Sequence, residues 1–93
     1  MKGISILGST GSIGQNTLRV VEHLGNIRVV AMAAGRNMST FADQIAKFKP
    51  DLVSCDDEAC AEVLERELAA RGAAVPQIEL NEKGLVAVAT HDE

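Results

Sequence analysis

The residues of this sequence whose types and spacing could do chemistry are three glycines and the small polar residues between them, in the string Gly8-Ser9-Thr10-Gly11-Ser12-Ile13-Gly14. The spacing is G-x-x-G-x-x-G, a variant of the commoner G-x-G-x-x-G with the same physical logic. Gly8 lets the chain leave a strand in a tight turn. Gly11 lets backbone approach a pyrophosphate with no Cβ in the way, and Gly14 lets the following helix pack closely on the sheet. A helix that opens here offers unpaired N–H groups and partial positive charge to an anion. Thr10 and Ser12 add hydroxyl donors at the same place. The chemistry predicted is the cradling of a dinucleotide's phosphates. A Walker-type nucleotide loop is excluded, because no Lys follows the last glycine.

The second informative stretch is Ala33-Ala34-Gly35-Arg36-Asn37. NAD-specific domains place an acid near the end of their second strand, where it bonds the ribose 2′-hydroxyl. Here there is none. Arg36 instead offers a charged fork to a 2′-phosphate, and Asn37 can donate to the same group or cap the next helix. The missing repulsive charge and the present attractive one predict NADP(H). The alternative is that Arg36 is a solvated turn residue and Asn37 only a cap.

Other candidates carry less. Cys55 and Cys60 lack partners at metal-site spacing and read as reduced thiols, Cys60 in the core. His23 and His91 have no ligand spacing. Asp56-Asp57-Glu58 reads as a helix start, because acids in a first turn favour the dipole. Asn37-Met38-Ser39 matches a glycosylation sequon without consequence in a cytoplasmic protein.

The elements that must position these groups follow from hydrophobic periodicity. Short apolar runs at 3–7, 27–34, 51–55 and, more weakly, 77–80 predict buried strands. Between them run helical stripes. Ser12 to Leu24 carries Ile13, Thr17, Leu18, Val20, Val21 and Leu24, and stops at Gly25-Asn26. Met38, Phe41, Ala42, Ile45 and Phe48 form a second stripe, closed by Lys47, Lys49 and Pro50. A third helix, capped by Asp56 or Asp57, runs to about Arg71 with Cys60, Val63, Leu64 and Leu68 inward. A last short helix is expected from Asn81 through Val88. Alternating strands and helices predict an α/β fold, a Rossmann-like doubly wound parallel sheet in three αβα layers, truncated after about four strands. In the usual strand order 3-2-1-4 the next strand would lie beside the first, so one edge of Gly3 to Leu7 should be bare.

Composition fits this. The chain has 93 residues, 46% hydrophobic, with no Trp or Tyr and two Phe. An aliphatic, β-branched core suits strands covered by helices. The formal net charge is −4 and the cations are scattered, which argues against nucleic acid as a partner. No signal peptide and no membrane-spanning run is expected, so the chain reads as cytoplasmic.

The run from Ile4 to Gly14, followed by Thr17-Leu18 and Val20-Val21, resembles the amino terminus of the 1-deoxy-D-xylulose 5-phosphate reductoisomerase family. The similarity continues through Arg28-Val29-Val30-Ala31, Ala34-Gly35-Arg36-Asn37, Lys49-Pro50 and Asp56-Asp57-Glu58. The resemblance implies an NADPH-dependent oxidoreductase that isomerises and reduces its sugar phosphate with Mg²⁺ or Mn²⁺, on the route to isoprenoid precursors. Its cofactor contacts carry over onto Thr10, Gly11, Ser12, Ile13, Gly35, Arg36 and Asn37. The family often has Lys where this chain has Arg36, which keeps the charge. Its metal-binding and substrate residues lie in later domains. Residues 1–93 are therefore expected to be the amino-terminal part of an NADP-binding domain, without the catalytic and carboxy-terminal domains and inactive alone. Rival readings are a semialdehyde or acyl-phosphate reductase, or a nucleotide-sensing module that self-associates through the bare strand edge.

Overall fold

A computed structural model of the chain describes residues 2–35, 37–80, 83 and 86. Seven elements alternate along it: β1 (Lys2–Leu7), α1 (Ser12–Leu24), β2 (Ile27–Ala33), α2 (Met38–Phe48), β3 (Leu52–Cys55), α3 (Glu58–Ala70) and β4 (Gln77–Leu80). The expected elements stand within a residue or two of where periodicity puts them. The helix expected over 81–88 lies outside the described residues, apart from 83 and 86.

The strands pair in parallel in the order β1-β2-β3-β4. One extra β2 residue, Val30, interrupts the register, since Ile4 pairs with Val29 and Ser5 with Ala31. β4 lies beside β3, with Val53 opposite Ile78. Among the described residues β1 therefore has β2 as its neighbour on one side and no strand on the other. Parallel strands added in one direction by right-handed crossovers put their helices on one face. That is the arrangement here: Leu18 and Val21 of α1, Phe41 and Ile45 of α2, and Leu64 and Leu68 of α3 share one core with Val29, Met32 and Val53. The described helices thus supply one helical layer. The other face of the sheet buries Ala31, Ala33 and Leu52.

Each helix is ended by local chemistry. Gly25 takes the left-handed conformation that suits a residue without Cβ, and its N–H bonds the Val21 carbonyl. Lys49 closes α2 in the same left-handed region, donating to Ile45 O at 2.8 Å just before Pro50. Asp57, and not Asp56, caps α3 by accepting from Cys60 N at 2.9 Å. Arg71 ties α3 to α2 through Asp43 at 2.7 Å and through the Ser39 carbonyl.

Two helical faces differ from the periodic expectation. In α1 the buried residues are Gly14, Leu18 and Val21. Ile13, Thr17, Val20 and Leu24 stand one position, roughly 100° of helical turn, away from that stripe and are exposed. In α3 the buried set is Ala61, Leu64 and Leu68, while Cys60 is half-buried and Val63 is 41% exposed. Both sequences offered two adjacent apolar stripes. The stripe taken is the one that holds the smallest residue, Gly14 against the glycine loop in α1 and Ala61 in α3.

Candidate functional site

The string 8–14 runs from the carboxyl end of β1 into α1. Gly8 has φ +68°, which only a residue without Cβ adopts at little cost, and the turn closes with Gly11 N–H donating to Gly8 O at 3.0 Å. Ser9 N–H donates to Ala33 O at 2.9 Å, so the loop is anchored to the end of β2. Gly11 is the extended N-cap residue of α1, and its carbonyl accepts Gln15 N at 2.9 Å. A Cβ at Gly14 would collide with the Gly8 carbonyl oxygen and stand 2.7 Å from the Ser9 Cα. The close packing that Gly14 permits is therefore against the loop itself. Gly14 is buried, while Gly8, Gly11, Ser12 and Ile13 are exposed and Thr10 is half-buried.

The helices α1, α2 and α3 differ at their N-termini. Asn37 caps α2 through Thr40 N at 3.3 Å and Asp57 caps α3. No side chain caps α1 and no acid stands in its first turn. Among the described residues, Ser12 and Ile13 N–H groups find no acceptor. An uncapped helix end behind a glycine turn presents donors and partial positive charge to an anion, with no carboxylate in competition.

Gly35 and Asn37 lie at the adjacent carboxyl end of β2, both exposed; Arg36 lies outside the described residues. Asn37 Oδ1 is engaged in capping, which leaves its amide N–H groups as the available donors. Beside Gly35 stands Asp56, whose backbone N–H donates to Gly35 O at 3.4 Å. Its carboxylate is the nearest group to any side chain that would replace Gly35, at 3.7 Å. In the sequence Asp56 is marked only as a helix start.

Two further residues, which no motif in the sequence marks, hold the loop. Gln15 Nε2 donates to Thr10 O, and Gln44 Nε2 donates to Ser9 O, each at 2.7 Å. The available signal for Gln44 was a polar residue on the apolar side of α2, between Phe41, Ala42 and Ile45.

Cys55 is a poor nucleophile. Burial first, then the proximity of Cys60, Asp57 and Asp56, pushes the Cys55 thiol up to about 11. Among the described residues no three His, Cys, Asp or Glu side chains converge as a metal site, and no helix is long and apolar enough to cross a membrane.

Residues 4–93 match the family model of 1-deoxy-D-xylulose 5-phosphate reductoisomerase. The chain belongs to that family. A reductoisomerase of Symbiobacterium thermophilum is 47% identical over 99% of this chain, and the chloroplastic reductoisomerase of Mentha piperita is 45% identical over 99%. The chain spans 24% and 20% of the length of these two relatives. Among solved structures, the Zymomonas mobilis reductoisomerase in complex with NADPH superposes with a TM-score of 0.80 at 30% identity, over 94% of this chain and 22% of that one. A DOX-P reductoisomerase in complex with magnesium has the same fold, with a TM-score of 0.87 at 24% identity over 99% of this chain and 23% of that one. Membership of the reductoisomerase family sets aside the semialdehyde and acyl-phosphate reductases.

Proposed function

We propose that this chain is the NADPH-binding portion of an oxidoreductase that isomerises and reduces 1-deoxy-D-xylulose 5-phosphate to 2-C-methyl-D-erythritol 4-phosphate. The observation that carries the reading is the uncapped N-terminus of α1 behind the Gly8–Gly14 turn. It fits a pyrophosphate: donors without acceptors, Gly11 exposed, and no acid in the first turn. Thr10, Gly11, Ser12 and Ile13 hold the phosphates and the sugar beside them. Ile13, 84% exposed, supplies an apolar contact at the mouth of the turn. Gly8 and Gly14 shape the loop from behind. Gly35, Arg36 and Asn37 take the 2′-phosphate, with Arg36 as its charged partner. Bound NADPH supplies the hydride; the residues described here bind and orient it. Support comes from the NADPH held by the Zymomonas mobilis relative.

Residues 1–93 are read as the amino-terminal part of an NADP-binding domain, with the substrate and the Mg²⁺ or Mn²⁺ of the whole enzyme proposed to bind outside them. The described residues bring together no set of acids for such an ion. The cytoplasm is the proposed compartment. Self-association through the open edge of β1 accompanies this reading.

Titration of the chain with NADPH and with NADH, followed by the fluorescence of the reduced nicotinamide, tests the proposal. NADPH is expected to bind more tightly, and Arg36→Glu to abolish the preference. Equal affinity for both dinucleotides would overturn the role of Arg36, and binding of neither would overturn the cofactor reading for this chain.

A further inference from the structure

Gln44 is a buried carboxamide where α2 would be expected to present an apolar side chain. It is 9% exposed and stands among Phe41, Ala42 and Ile45. Its Nε2 donates to the Ser9 carbonyl at 2.7 Å across 35 residues of chain. Its Oε1 is buried with no hydrogen-bond partner among the described residues, and so is the Ser9 hydroxyl. A side chain chosen for the core alone would not bury an oxygen without a partner. Gln15, from α1, makes the matching contact to the next carbonyl, that of Thr10, also at 2.7 Å. Both glutamines line one groove between α1 and α2. A carbonyl can only accept, so each amide must present its nitrogen.

Two consecutive loop carbonyls are thereby held toward the helices. In a trans peptide the N–H points opposite to the C=O of the preceding residue. Fixing Ser9 O on Gln44 therefore turns Thr10 N–H away from α2, and that N–H has no acceptor among the described residues. The same contact keeps carbonyl oxygens from facing an incoming phosphate. α2 also begins at Asn37, in the turn read as the 2′-phosphate site. One rigid helix thus spans from that turn to the pyrophosphate loop.

We infer that Gln44, assisted by Gln15, is a positioning residue: an amide clamp that holds the Ser9-Thr10-Gly11 peptides in the orientation that binds a dinucleotide's pyrophosphate. The inference rests on the cofactor reading of this loop. Gln44→Met keeps the volume and loses the donor; Gln44→Glu puts a carboxylate oxygen against Ser9 O.

The test has two arms. In the free chain, amide hydrogen exchange at Gly11, whose N–H closes the turn on Gly8 O, is expected to quicken about tenfold in Gln44→Met, the size one lost hydrogen bond gives. Val29 and Val53 in the sheet should be unchanged, with the unfolding midpoint within a few degrees of the parent chain. In the titration arm, both variants should weaken NADPH, NADH and ADP-ribose by the same factor, about tenfold for Gln44→Met and more for Gln44→Glu. The NADPH-to-NADH ratio, set by Arg36, should be preserved. Unaltered exchange at Gly11 would overturn the clamp whatever the chain binds. Faster exchange with undiminished NADPH affinity would also overturn its role in binding. Faster exchange in a chain that binds no dinucleotide would uphold the hold on the loop and overturn the cofactor reading instead. A fall in affinity that tracks a fall in unfolding midpoint would mark Gln44 as a core residue only.

Discussion

Gly14 shows most sharply how one atom governs the candidate site. Its neighbours are the Gly8 carbonyl and the Ser9 Cα, both backbone, and neither can swing aside as a side-chain tip could. Gly14→Ala must therefore push α1 away from the loop or distort the loop. Overpacking of this kind costs about 3 kcal/mol, and urea unfolding should show a loss of that order together with lost NADPH binding. Gly35→Ala, with only the Asp56 carboxylate at 3.7 Å in its way, should fold like the parent chain. The glycines at 8, 11 and 14 were legible in the sequence because their spacing is dictated by turn and helix geometry. The partners that orient the loop were not. Gln44 acts through a tertiary contact across 35 residues, which no local pattern encodes, and Gln15 through a side-chain bond to a carbonyl in the loop just before its own helix.

At the scale of elements, the meeting of β3 with α3 has a measurable consequence. Cys55 ends β3, and the groups that raise its thiol after burial, Cys60, Asp57 and Asp56, belong to the start of α3. A thiol raised from 9.0 to about 11 keeps its proton in the folded chain where the unfolded chain would release it. The folded state then binds more protons between those values. Its stabilising effect is complete below pH 9 and is lost as pH rises toward about 11. Thermal midpoints measured across that window should fall more steeply in the parent chain than in Cys55→Ala; parallel slopes would exclude the thiol as the cause. Element boundaries were legible because caps and stops are local: Gly25 after α1, Asn37 before α2, Pro50 after Lys49. The buried faces were less so. Ile13, Val20 and Leu24 are as apolar as Leu18 and Val21, and the choice between stripes is made by the close approach at Gly14, which periodicity does not contain.

For the molecule as a whole, the described residues leave one flank of β1 and α1 uncovered. The outer edge of β1 has no described strand, and Leu7, Ile13, Val20 and Leu24 are each more than half exposed. An apolar helix stripe beside an open strand edge recruits another chain. Sedimentation of the 93-residue chain should show concentration-dependent association, reduced when Val20 and Leu24 are both replaced by Lys; a monomer at all concentrations would refute it. The parallel α/β architecture was legible from the alternation of periods. The side on which β4 joins was not, since the choice between the edges of β1 and β3 depends on crossover handedness and on what covers each face.

The order β1-β2-β3-β4 also bears on how the fold comes into being. Lys2 pairs with Ile27, Ala31 with Leu52, and Leu52 with Gln77, so every strand docks on the one translated just before it. Nothing in the described sheet waits for a distant strand to be inserted between earlier ones. Such a sheet can be laid down stepwise as the nascent chain leaves the ribosome, each βα unit templating the next. The Gly8–Gly14 loop, tied to Ala33 and to Gln44, would take its shape on the ribosome as soon as α2 had emerged.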